Sequence, residues 1–201
     1  DYGRIPLIFI PNHGQFDQRV AYAIQGSDKL IYFTSEGLTF LLTERVQASP
    51  ANEKRVLREI DPGKSGWQAH HKRWVVKLDF VGARKNVRPE SLGQAETIIS
   101  YFKGRPEEWK AGLQASSKII YRDLWPGIDL IYYGTVNRMK YDFIVRPGAD
   151  PMQIKLSYRG AERVTVTQEG RLEVSTPVGA FQDETPVAWQ EQDGKRAVVS
   201  V

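Results

Sequence analysis

A chain of 201 residues with 41% hydrophobic and 26% charged side chains suits one large domain or two small packed ones, and stability at this size needs neither disulfides nor a structural metal. The absence of cysteine excludes disulfides, cysteine-ligated zinc, iron–sulfur clusters and thiol nucleophiles. The net charge of +4 arises from 28 basic and 24 acidic residues interspersed along the chain, which reads as solvated surface and not as a nucleic-acid face.

No apolar run approaches the roughly 20 residues that span a bilayer. The opening Asp1-Tyr2-Gly3-Arg4 does not resemble a signal peptide, although a trimmed chain would look the same. Arg196–Val201 reads as a strand cut short, so the native protein is expected to continue.

Period-2 alternation predicts strands with one buried face in chain order. In 19–25, Val20, Tyr22 and Ile24 share a face, and Gly26-Ser27-Asp28 turns the chain into a strand over 29–34. Ser35-Glu36-Gly37 leads to Leu38, Phe40 and Leu42 on one side of the next strand. Residues 44–73 then break the pattern. They are polar and basic at Lys54, Arg55, Arg58, Lys64, Lys72 and Arg73, with a short helix over 52–60 and the His70-His71 pair, and they read as a long excursion.

Trp74, Val76, Leu78 and Phe80 resume the alternation on one face. Pro106 and two acids predict a helical turn over 106–111, and 104–114 is a weak candidate for a subdomain boundary. Pro126-Gly127 predicts a tight turn into a strand carrying Ile128, Leu130 and Tyr132 inward, answered by Tyr141, Phe143 and Val145 on an antiparallel neighbour. Asp150 is placed to cap a brief turn at 151–153. Ile154, Leu156 and Tyr158, then Val164 with Val166, then Leu172 with Val174, are three more core-facing sets. Glu169-Gly170 and Asp193-Gly194 are the last hairpin turns. The class is all-β: an antiparallel meander or hairpin sandwich, or a partly closed barrel, with one or two short helical turns. Residues 1–201 are read as a single β-rich domain.

Three stretches carry more than generic β pattern. They are FIPNHGQ at Phe9–Gln15, YRDLWPGIDLIYYG at Tyr121–Gly134, and MKYDFIVRPGADP at Met139–Pro151. In this order, and with ETPVAWQ at Glu184–Gln190 as a closing hairpin, they resemble an uncharacterised domain family. Its members sit at the N-terminal side of large exported bacterial proteins, often followed by SBBP (seven-bladed β-propeller) repeats or PKD-like or immunoglobulin-like modules. Pro11 and His13 depart from the usual first motif, and the 44–73 excursion is longer than typical. The resemblance implies an extracellular or cell-surface setting and no activity.

Asp129 and Asp142, with Asp123, can be carboxylates on neighbouring strands that share acid–base work or a hard cation, or plain acceptors for Tyr hydroxyls and turn amides; the second is the expectation. Asn12, His13 and Gln15 form a binding loop or a self-satisfied turn, and again the turn is expected. His70 and His71 are adjacent and diverge on any regular element, so with His13 the only other histidine no zinc site is expected. No nucleophile elbow or phosphate loop occurs, and no cofactor is expected.

Of the five tryptophans, Trp74 and Trp189 lie in alternating runs and are expected in the core. Trp109 and Trp125 adjoin turns and are expected to be partly exposed, which is the basis of a carbohydrate-binding alternative. The leading expectation is a noncatalytic structural or interaction module whose partners are neighbouring domains of the same polypeptide, or a surface glycan or protein. A carboxylate-based hydrolase or metal-dependent enzyme is the remaining alternative.

Overall fold

The structure, a computed structural model, describes residues 5–26, 29–44, 72–136, 138–192 and 195–199. The expected helix over 52–60, His70-His71 and Trp67 lie outside these residues. So do the turn residues Ser27, Asp28, Asp193 and Gly194.

The larger sheet has the order β1-β2-β3-β4-β5-β10. Its strands are β1 (Ile10–Pro11), β2 (Val20–Gln25), β3 (Lys29–Thr34), β4 (Gly37–Thr43), β5 (Arg73–Val81) and β10 (Lys155–Arg159). A four-stranded sheet follows the chain: β6 (Glu90–Tyr101), β7 (Lys110–Trp125), β8 (Ile128–Thr135) and β9 (Arg138–Val145). A three-stranded sheet holds β11 (Arg163–Val166), β12 (Leu172–Thr176) and β13 (Gly179–Asp183), and a lone hairpin holds β14 (Ala188–Gln192) and β15 (Lys195–Val199). Every pairing is antiparallel, and no sheet closes into a barrel among the described residues, so the fold is an all-β sandwich. Among the described residues the helical content is two 3-10 turns, Pro106–Glu108 and Pro151–Gln153, the second capped by Asp150 Oδ1 accepting from Met152 N at 2.9 Å.

The pleat explains the core. Alternate residues of β3, β4 and β5 (Ile31, Phe33, Leu38, Phe40, Val76, Leu78 and Phe80) point one way. They meet Ile119, Tyr121, Trp125, Ile128, Leu130 and Tyr132 of β7 and β8. Edge-on aromatic contacts cross the interior: Phe33 to Tyr132 at 5.2 Å, Phe80 to Tyr121 at 5.2 Å and Phe80 to Trp125 at 5.9 Å between ring centroids. Each such contact adds about 0.5–1.5 kcal/mol beyond area burial. Two buried aromatics also staple the sheets through polar tips. Tyr121 Oη donates to the Thr34 carbonyl at 2.9 Å, and Trp125 Nε1 donates to the Val81 carbonyl at 3.0 Å. The segment that runs into β1 of the larger sheet is also bonded to the four-stranded one, because Phe9 exchanges backbone hydrogen bonds with Ser116 of β7 and Leu7 N donates to the Gly134 carbonyl of β8.

The third sheet joins the same interior through Phe181, which stacks on Phe40 at 5.3 Å and lies 6.1 Å from Tyr158. Coverage runs out there. Val174 of β12 is fully buried, whereas its cross-strand partner Val164 is 42% exposed and Val166 is 70% exposed. The expectation that β11 contributes Val164 and Val166 to the core is therefore corrected: β11 is an edge strand lying beyond the surface that Phe40 and Tyr158 cover.

Two tryptophan placements are also corrected. Trp74 lies at the outer end of β5, half out of the core, with its indole N–H on the Gly160 carbonyl. Trp189 is 44% exposed on β14, which among the described residues pairs with β15 alone. Residues 104–114 form the turn between β6 and β7 and the start of β7, and pairing such as Tyr101 with Lys110 crosses them. Alternation passed over β6 and much of β7, whose register is interrupted four times along the pair. Bulges break the burial period in β7, whereas β6 alternates but with small or polar Gly93, Ala95 and Thr97 on its half-buried face.

Candidate functional site

A cluster of carboxylates and guanidiniums is built by the second and third motifs together with Arg84. At the end of β7 the chain bulges between Tyr121 and Trp125, and Asp123 takes a positive φ of 51°. Pro126-Gly127 then reverses the chain, with Gly127 at φ 77°, a conformation that glycine adopts without Cβ strain. Asp123 Oδ1 accepts from Gly127 N at 2.7 Å, so the carboxylate closes the turn. Asp129, one residue into β8, is buried and accepts through one oxygen from Asp123 N and from Arg146 Nη2, both at 2.7 Å. Arg146 also lies 3.6 Å from Asp123, and Arg84 pairs with Asp123 at 2.9 Å. Two carboxylates thus face two guanidiniums, and all four side chains hold a hairpin turn.

Asp142 does not join them. It opposes Ile131 in the β8–β9 register and accepts from Tyr133 Oη at 3.0 Å, while Asp129 opposes Ile144. The structure therefore brings Asp123 and Asp129 together and gives Asp142 a separate structural partner. Among the described residues no group of three or more His, Asp or Glu side chains is arranged to hold a metal ion.

In the first motif, Asn12 makes five hydrogen bonds. Its Nδ2 donates to the carbonyls of Phe16 (3.3 Å), Asp17 (2.8 Å) and Val20 (2.9 Å), and its Oδ1 accepts from Gly14 N (2.9 Å) and Phe16 N (3.1 Å). Gln15 bonds the Pro11 carbonyl and accepts from His13 N. His13 itself is exposed. The loop is closed on itself. Asn12→Ala is expected to lower unfolding stability by about 1–3 kcal/mol, because the loop's backbone groups lose their partner, while His13→Ala stays within about 0.5 kcal/mol. Urea denaturation of the two variants checks this, and a reversed order would make His13 the residue of interest.

The tryptophan pair is not assembled. Trp109 is 45% exposed, packs edge-on against the exposed Phe102 at 5.2 Å and donates to the Gly104 carbonyl. Trp125 is 1% exposed, which corrects the expectation of partial exposure. It adjoins the turn but points inward, because the bulge before it sets its ring against Phe80 and Phe143.

A family model described as a domain of unknown function, DUF7948, matches residues 9–201. The chain is a DUF7948 domain. No curated protein and no solved structure matches it. All three motifs of this DUF7948 chain take part in its architecture: Phe9 bridges the sheets, Asp123 and Asp129 fix the β7–β8 turn, and Arg146 ties the third motif to the second.

A second titratable group sits where the third sheet meets the sandwich. Tyr141 of β9 donates to Asp183 of β13. Burial raises the Asp183 carboxyl above its usual 3.8, against the lowering effect of the Tyr141 bond, and burial likewise raises the hydroxyls of Tyr141 and Tyr158. A raised carboxyl means that the folded state holds the proton more tightly than the unfolded state does. Its stabilising contribution is full below pH 3.8 and is lost as pH rises through the raised folded value. Relative to Asp183→Asn, the unsubstituted domain is expected to lose stability over that rise, as read from urea midpoints on a pH series. A flat difference would place Asp183 in water.

Proposed function

We propose that this DUF7948 domain is a noncatalytic structural or interaction module of a larger exported or cell-surface bacterial protein, and that its closing hairpin docks on a β module following it in the same polypeptide. The observation that carries this reading is the β14–β15 hairpin. Among the described residues it pairs with no other sheet, and every described β15 residue is exposed. Val187 (67%), Trp189 (44%) and Val198 (82%) are presented to solvent. Trp189 and Val198 are cross-strand partners on one face, and the Arg196 guanidinium lies 5.3 Å from the Trp189 ring centre. An isolated two-stranded hairpin is marginal in water, and exposed aromatic and aliphatic patches of this kind suit an interface. Trp and Arg are the side chains that most often anchor one. The noncatalytic part of the reading is supported by Asp123, Asp129 and Asp142, each of which has an oxygen bonded to the domain's own turn, guanidinium or tyrosine groups. The resemblance to domains that precede SBBP repeats supplies the kind of neighbour expected.

Amide hydrogen exchange on the full-length polypeptide beside the 201-residue domain tests the docking. The β14–β15 amides are expected to exchange at least about tenfold more slowly in the longer chain. Equal exchange in both overturns the docking. Recovery of the native protein in the cytoplasmic fraction overturns the exported setting.

A further inference from the structure

The outward face of the six-stranded sheet holds an open, polar groove of about 580 Å³. Its floor is a row in register across four strands: Tyr32 opposes Thr39, Thr39 opposes Lys77, and Lys77 opposes Arg159. Each of these residues alternates with a core residue of its strand, so the row faces away from the interior. With strands about 4.8 Å apart, the row is roughly 14 Å long. Phe16 packs edge-on against Tyr32 at 5.5 Å and fixes that ring at one end. The turn Asp17–Arg19 and Arg88 form a wall.

The groove's polar groups are arranged in pairs. Arg19 binds Asp17 at 2.8 and 2.9 Å, and Arg159 binds Asp79 through two contacts. Glu36 lies within electrostatic reach of both guanidiniums. All these side chains remain solvent-accessible to some degree, so each pair offers guanidinium donors beside carboxylate lone pairs. A sugar ring presents the complement, because neighbouring hydroxyls donate and accept at once. The cations outnumber the anions: Arg19, Lys77, Arg88 and Arg159 against Asp17, Glu36 and Asp79. Lys77 forms no ion pair among the described residues, and Arg88 donates to the carbonyls of Gln18 and Val20.

We propose that this groove binds a short acidic oligosaccharide. Its hydroxyls lie on the two ion pairs, an acidic substituent lies at Lys77, and one ring lies beside Tyr32. The site is separate from the closing hairpin and does not depend on Trp109 or Trp125.

The test is a glycan array of uronate-, sialate- and sulfate-bearing oligosaccharides with neutral counterparts, followed by titration calorimetry with the best acidic ligand and with poly-glutamate as a charge control. Lys77→Ala removes the central cation, and Thr39→Trp fills the floor. Both positions lie outside the core, and unchanged thermal midpoints confirm folding. Each substitution is expected to weaken acidic-glycan binding by about tenfold or more. Hairpin variants at Trp189 are expected to leave it unchanged. No signal from any acidic glycan, equal binding of poly-glutamate, or binding indifferent to both groove substitutions overturns the proposal.

Discussion

Trp125→Ala is expected to lower the unfolding free energy by about 3–5 kcal/mol, the range for removing a buried aromatic from a packed core. Small domains have only about 5–15 kcal/mol in total, so the variant would stand near the edge of folding. The size of the effect follows from three losses at one position. The ring fills space between Phe80 and Phe143, it makes edge-on contacts with both, and its indole N–H satisfies the Val81 carbonyl across the interior. Trp125→Phe separates these losses. It keeps most of the apolar volume and leaves the Val81 carbonyl unpaired, for an expected cost of about 1–3 kcal/mol. Urea denaturation read by circular dichroism checks both variants. A cost under 1 kcal/mol for Trp125→Ala would mean that the ring is not between the sheets.

Asp129→Ala should be nearly as informative, at about 2–3 kcal/mol. The alanine leaves Asp123 N without an acceptor at a bulge whose φ is already positive, and it releases one end of Arg146. Arg146 is half exposed and can turn to water, which keeps the cost below that of breaking a fully buried ion pair. Asp129→Asn retains the accepting oxygen and is expected to recover more than half of the loss. If the asparagine variant were as damaging as the alanine variant, the negative charge and not the acceptor would dominate. If both were harmless, the reading of Asp129 as the residue that fixes the turn would fail.

Much of the fold was legible because alternation reports the pleat directly. The β8–β9 hairpin shows this best. Pro126-Gly127, the inward set Ile128, Leu130 and Tyr132, and the answering Tyr141 and Phe143 fall as the pattern implies, whereas Val145, expected inward with them, is 39% exposed at the end of β9. Alternation fails in two physical situations. In β11 the alternation is real, but Val164 and Val166 have nothing to pack against, because a strand's pattern cannot show where its neighbour sheet ends. In β6 the pleat alternates, but Gly93, Ala95 and Thr97 take the half-buried face while Leu92 and Ile98 face out, and in β7 bulges break the period, so neither strand carries an alternating hydrophobic signal.

The tryptophans teach the same point from the other side. Adjacency to a turn suggested exposure for Trp125, and membership of an alternating run suggested burial for Trp74 and Trp189. Each outcome was decided by what lay opposite in space. Asn12 and Gln15 close their own loop through amide bonds to its backbone, and Asp142 accepts from Tyr133. The groove at Tyr32, Thr39, Lys77 and Arg159 left no sequence signal. Its residues come from four strands and converge only through register, which is a property of the folded sheet.

The lack of cysteine allows a clean measurement of the central claim, that two sheets face each other across one interior. Single cysteines at Leu38, Val76 and Leu130, whose side chains point inward, are expected to resist a water-soluble thiol reagent until denaturant is added. Single cysteines at Thr39 and Lys77, each one step along the same strands, are expected to react at once. Labelling at similar rates for the two sets in native buffer would contradict the sandwich.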